Sequence, residues 1–321
     1  RRRRPRRGMA LRLSAAVPLA TRRLPAAVRG VHDAAHGFHE AEIRDQLLRF
    51  PGGSIDVHKE EEGGIAVVTV NNPGRMNAFT GSMMVDLHDA VQQLERWPEG
   101  KGLLLHGANS TFCSGSDLNA VRALESSQDG LKMCMYMQNT LTRLMRLPLI
   151  SVALVEGKAL GGGAELTTAC DFRLMVPGSQ IRFVHRHMGL VPGWGGAARL
   201  VRLVGYRHAL RLLSGAEAAG PQEALALGLA DALLEPVSSP SSSTPDDDGG
   251  DGGAALRAAL SWLEPRVAGA PEVVRAAKKV ALSGAELPLE EALRAERDVF
   301  GTLWGAPANR RALARGAKHK K

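Results

Sequence analysis

Cysteine is scarce in this chain. There are three, Cys113, Cys134 and Cys170, an odd number without C-x-x-C spacing. That argues against a disulfide framework or a zinc site and fits a reducing compartment. No apolar run approaches the roughly 20 residues that cross a bilayer. No acidic residue precedes Asp33, whereas residues 1–30 contain ten arginines. With six more basic residues from Arg310 onward, the two ends more than account for the net charge of +8 and leave residues 31–309 at −8. An acidic body gives a nucleic-acid partner little support. Three motifs are also missing: GxxxxGK[ST] for a P-loop, GxGxxG after a strand for a dinucleotide, and GxSxG for a serine hydrolase. There is no internal repeat.

What is present suits a soluble globular protein: 321 residues, 44% hydrophobic and 23% charged. Residues 1–49 read as a presequence-like or disordered N-terminus. Their Arg/Ala-rich stretch has the composition of a mitochondrial transit peptide, and "RRRRPRRG" resembles an extension ahead of a start at Met9. The folded core is expected over 50–235. Within it, Ile65 to Val70 reads as a β-branched strand, "GLLLHG" and "LISVALVEG" as further strands, and "DFRLMV" as a short one. Met84, Leu87, Val91 and Leu94, three or four apart, predict an amphipathic helix. A methionine-rich helix ends before Pro148, its methionines expected to be adaptable packing. "GGAARLVRLVG" and "RHALRLLSG" read as successive short helices. Residues 236–253 form a low-complexity insert, 254–309 a helical region suited to docking and oligomer formation, and 310–321 a basic tail. Strands alternating with helices predict an α/β fold.

Three glycine-bearing segments follow strands: "FCSGSDL" from Phe112, "ALGGGAELTTACDFRL" from Ala159, and "HMGLVPGWGGAARL" from His187. The triplet Gly161–Gly163 is costly inside a helix. It admits two explanations, close packing of backbones or a free N–H at a helix start beside the single carboxylate of Glu165.

Taken in order, these segments resemble the crotonase (enoyl-CoA hydratase/isomerase) superfamily, over about Gly53 to Asn309. The resemblance implies ββα units in a ClpP-like spiral, with a C-terminal helical subdomain that builds a homotrimer or a dimer of trimers. It implies an acyl-CoA thioester substrate, no metal or organic cofactor, and no nucleic-acid or membrane partner. The thioester oxygen would sit in an oxyanion hole made by the N–H groups of Ser116 and Gly162, each donor being worth about 3–4 kcal/mol. The family segment "GRMNAF" would line the CoA pocket, so Arg75, Met76, Asn77 and Ala78 are candidate binding residues. Gly115, Asp117, Leu118, Gly161 and Trp194 join them, with packing or capping as the plainer alternative for Asp117 and Trp194.

A hydratase of this family holds one water between two glutamates. Glu165 matches the first, but the second position carries His185, which puts hydration in doubt. Within the superfamily "GKALGGGAELTTACDFRLM" and "IRFVHRHMG" are most similar to members that decarboxylate ethylmalonyl-CoA to butyryl-CoA, and methylmalonyl-CoA less well. Such a thioester carries its own leaving group, CO₂, and needs enolate stabilisation followed by protonation. Either Glu165, favoured in its protonated form by desolvation, or His185 would supply the proton. The alternatives are an enoyl-CoA hydratase or isomerase, or an inactive acyl-CoA-binding member. Cytosolic acyl-CoA chemistry is the expected setting, against the mitochondrial matrix that the N-terminal composition favours.

Overall fold

The fold is that of a computed structural model, which describes residues 31–124, 126–234 and 251–315. The expected presequence of residues 1–30 and most of the insert lie outside the described residues. The first helix, α1 (Glu40–Leu47), is followed by β1 (Ser54–Glu60), which turns back at Gly64 to pair antiparallel with β2 (Ile65–Asn71). β3 (Gly102–Gly107), β4 (Ile150–Val155), β6 (Phe172–Met175) and β9 (Ala232–Leu233) then add in parallel. The resulting order is β1-β2-β3-β4-β6-β9. A second, three-stranded sheet holds β5 (Lys158–Leu160), β7 (Gln180–Arg182) and β8 (Ala218–Ala219).

The central strands are largely apolar because both faces are covered. Side chains alternate between two cores: Val68, Leu103, Leu105 and Ala153 enter one, while Ile65, Leu104, Val152 and Leu154 enter the other. The first core takes the buried face of α2 (Gly81–Glu95), where Met84, Leu87, Val91 and Leu94 are all enclosed. It also takes α4 (Ser127–Met145), whose Met135 and Met137 are buried. The second core is closed by Ala259 and Leu263 of α8 (Asp251–Leu263) and Val274 of α9 (Pro271–Glu286). This is the expected α/β architecture with a helical C-terminal region.

Three boundaries move. The core does not begin at Phe50, because Ile43 and Leu47 of α1 are each 1% exposed against α2 and α4, and Arg44 pairs with Asp89 at 2.6 Å. This helix of eight residues, about two turns, buries only these two apolar residues, a signal too short to stand out beside the arginine-rich stretch. The insert's expected end at Gly253 falls inside α8. The tail expected from Arg310 overlaps α11 (Pro307–Ala314), which follows α10 (Leu289–Leu303). The two short helices predicted before the insert are both present within Gly196–Gly215 (α6), separated at Gly205 by φ 77°, ψ 162°.

Candidate active site

The three glycine segments meet. After β3 the chain forms two parallel bridges, Cys113 with Ala159 and Ser116 with Phe79. Phe79 N–H donates to Gly115 O at 2.7 Å and Asp117 N–H donates to Phe79 O at 2.8 Å. These bonds engage the residues on either side of Ser116, so its own N–H faces the opposite edge. Gly115 has φ +102°, and a Cβ there would lie 3.2 Å from Gly162 N, so the two expected oxyanion-hole loops are in contact.

Each glycine of the triplet has its own reason. Gly161 takes φ 51° just before α5 (Gly162–Thr167). A Cβ on Gly162 would fall 2.7 Å from the Trp194 ring, and one on Gly163 would fall 2.2 Å from Cys113 O. Close approach accounts for the last two. Gly162 is also the first residue of α5, so its N–H has no partner within the helix. Close packing therefore applies at Gly162 and Gly163, and the helix-start N–H belongs to Gly162 as well.

Glu165 is 1% exposed, and its carboxylate is enclosed by donors. Oε1 accepts from Gly193 N–H at 3.3 Å and lies 3.0 Å from His185 Nε2; Oε2 accepts from the N–H groups of Trp194 and Gly196, each at 2.8 Å. With His185 donating, all four acceptor positions of the carboxylate are taken. His185 sits in a single 3-10 turn, Val184–Met188, and its Nδ1 is buried with no hydrogen-bond partner among the described residues. Trp194, 3% exposed, meets Phe79 edge to face at 5.8 Å.

Beneath Glu165 lies Arg199 of α6, a buried residue the sequence reading passed over. Its guanidinium donates to Thr168 Oγ1, Glu165 O and Trp194 O. Burial pushes it down to about 10, opposed by the nearby Glu165 charge. Cys113 and Cys170 are enclosed, and burial pushes both thiols up to about 12, which leaves them unreactive.

The remaining candidates form the wall and rim. Arg75 pairs with Asp117 at 2.5 Å, and Asp117 caps α3 (Leu118–Ala123) by accepting from Asn119 and Ala120 N–H. Burial opposes ionisation of Asp117, but Arg75 and these amides outweigh it and hold the carboxyl below its ordinary value. Asn77 is buried and stitches loops together, donating to Ala108 O and Thr111 O. The Ala78 carbonyl is occupied by Asn72 Nδ2 at 2.8 Å. Met76 and Leu118 are half exposed at the rim. Thus Glu165, His185, Gly162 and Trp194 are brought into contact, with Gly115 against Gly162. Asn77 spends its side-chain groups on the protein itself, whereas Arg75 commits one nitrogen to Asp117 and is half exposed.

A family model described as Enoyl-CoA hydratase/isomerase matches residues 60–239. The chain is 57% identical over 290 residues to the ethylmalonyl-CoA decarboxylase of Xenopus laevis, covering 90% of this chain and 92% of that one. It is 58% identical over 288 residues to the Gallus gallus protein of the same name, covering 90% and 92%. For the Homo sapiens protein of that name the identity is 53% over 291 residues, covering 91% and 90%. Among solved structures, an enoyl-CoA hydratase from Polaromonas sp. JS666 superposes with TM-score 0.70 at 25% identity, covering 82% of this chain and 96% of that one. One from Bacillus anthracis gives 0.70 at 23% identity, covering 84% and 96%, a likeness of fold.

Proposed function

Because the chain belongs to the enoyl-CoA hydratase/isomerase family, we propose that it decarboxylates ethylmalonyl-CoA to butyryl-CoA, and methylmalonyl-CoA less well. The relatives above carry that name over nearly their whole length. The observation that carries the reading is the saturation of the Glu165 carboxylate by four donors, one of them His185. A hydratase base must offer a lone pair to water, and here each lone pair is already engaged. For the same reason Glu165 cannot hold a proton for the substrate without breaking one of these bonds.

Decarboxylation asks for less. The C–CO₂ bond breaks, its electron pair moves into the thioester as an enolate, and CO₂ leaves. The Ser116 and Gly162 N–H groups stabilise the enolate oxygen. His185, held through Nε2 by Glu165, delivers a proton from Nδ1 to the α-carbon and recovers one from solvent. The contact of Nε2 with Glu165 Oε1 at 3.0 Å fixes the ring so that Nδ1 is turned away from the carboxylate. An imidazole at this position also avoids the repulsion that a second glutamate would exert on the substrate carboxylate. Gly115, Gly161 and Trp194 shape the acyl pocket, and Arg75, Met76, Asn77, Ala78, Asp117 and Leu118 form the wall toward CoA. The route uses no metal or organic cofactor.

The physiological role would be removal of a carboxylation by-product, in the cytosol; imaging a fusion that begins at Met9 tests the location. The exposed apolar side chains of α10, Leu289, Leu293 and Phe300, support assembly as a homotrimer or a dimer of trimers. Purified protein given ethylmalonyl-CoA and crotonyl-CoA separately should release CO₂ from the first and leave the second unchanged. Hydration of crotonyl-CoA with ethylmalonyl-CoA untouched would overturn the reading.

A further inference from the structure

The backbone donors that hold Glu165 need a support of their own, and for one of them it is visible. The peptide unit joining Gly193 and Trp194 donates its N–H to Glu165 Oε2 at 2.8 Å. Its carbonyl accepts two bonds from α4, from Gln138 Nε2 at 2.9 Å and from Cys134 Sγ at 2.8 Å. In a trans peptide the C=O and N–H point in opposite directions, so α4 grips this unit from the side away from Glu165. Donors on the carbonyl also polarise the N–H beyond it.

The orientation of Gln138 is itself fixed. Its Oε1 lies 2.7 Å from His32 Nε2, and Nε2 of the amide also reaches Cys134 Sγ at 3.3 Å. His32 is clamped in turn by Asn139, whose Oδ1 accepts from His32 N–H at 2.8 Å and whose Nδ2 donates to His32 O at 3.0 Å. Burial, with the Glu165 charge adding to it, pushes the Cys134 thiol above its ordinary value, so it remains an S–H donor.

We propose that Gln138 is a positioning residue for the reaction: oriented by His32 and seconded by Cys134, it fixes Glu165, and hence His185, through the Gly193–Trp194 peptide. The assignment rests on the reading of Glu165 and His185 as the catalytic pair.

Two substitutions separate this role from packing. Gln138→Met keeps the stem and removes the donor, while Gln138→Glu turns an acceptor toward the carbonyl. Two readouts on the full chain are needed: kcat and KM for ethylmalonyl-CoA, and hydrogen exchange of the Trp194 amide by mass spectrometry, which needs no substrate. Gln138→Met should lower kcat about tenfold with KM within about twofold, and Gln138→Glu should lower it further. The Trp194 segment should exchange faster in both while α2 stays protected. His32→Leu, at the edge of the fold, should lower kcat about threefold by the same route. Wild-type kcat in Gln138→Met, or unchanged exchange at Trp194, would overturn the proposal. If the Gln138 variants do not fold, His32→Leu decides, and wild-type kcat there counts against it. If the wild-type protein leaves ethylmalonyl-CoA intact, the functional reading fails, and the exchange measurement alone still decides the wiring.

Discussion

Gly196→Ala places one methyl group against the carboxylate on which the site is built. A Cβ at this position would lie 2.4 Å from Glu165 Cγ, 2.7 Å from its Cβ and 2.8 Å from Oε2. Carbon atoms rest at about 3.5–4.0 Å, so the overlap is roughly 1 Å or more. Neither side yields easily. Gly196 is tied by its N–H to Oε2, and Glu165 is rooted in the buried α5. Overpacking of this kind costs about 1–3 kcal/mol, and displacing a hydrogen bond to a charged group about 1.5–3 kcal/mol more. A total on the order of 3 kcal/mol lowers Tm by roughly 5–10 °C in a chain of this size. The displaced Glu165 no longer aligns His185, so kcat should fall about a hundredfold. Calorimetry and turnover of ethylmalonyl-CoA measure the two effects. A variant that melts with the wild type and turns over at its rate would refute the claim that Glu165 is pinned from this side.

Glu165→Gln should abolish decarboxylation and destabilise by about 1–3 kcal/mol, because its NH₂ must face backbone N–H groups that the carboxylate satisfied. The amide is best placed toward His185, which can accept after moving its proton to Nδ1; near wild-type turnover would contradict the proposed pairing. His185→Glu should depress kcat/KM for ethylmalonyl-CoA sharply, since a second carboxylate repels the substrate's own, and steady-state kinetics showing no change would leave His185 with a packing role only. Burial lowers His106 from the ordinary value of 6.5, with the Gly107 backbone opposing. The unfolded chain therefore takes up a proton below about pH 6.5 that the folded chain refuses, so stability is full above that pH and declines beneath it. His106→Gln, which can keep the bond to Thr69, should flatten part of the fall in Tm between about pH 7 and pH 5; an unaltered profile would exclude His106 as a source.

The strands that lie between two cores were legible because burial on both faces leaves little but Val, Ile and Leu in them, as in β2 and β4. β1 was not, since Asp56, His58 and Glu60 stand on its exposed face and dilute the apolar signal. β5, β7 and β8 have two or three residues each, too few for any period. In the site, Glu165 and His185 could be named from side chains set in recognisable segments. The donors that define what Glu165 can do are amides of Gly193, Trp194 and Gly196, and a backbone N–H has no letter of its own. The segment "PGWGG" hinted at them only as glycines ahead of a helix. Gln138 was invisible for a different reason: it meets Gly193 across 55 residues, through a contact that only the folded helix creates.

The outer strands of the six-stranded sheet bear on how copies of this chain can associate. An unpaired strand edge is a template for another chain, and long, flat, apolar edges lead to open-ended aggregation. Here one edge, β9, is two residues long, and the other, β1, alternates with exposed Asp56, His58 and Glu60. Among the described residues neither offers a run on which a second sheet could grow. Any self-association would fall instead to helical surfaces such as α10, where a closed assembly could form without the sheet extending from molecule to molecule.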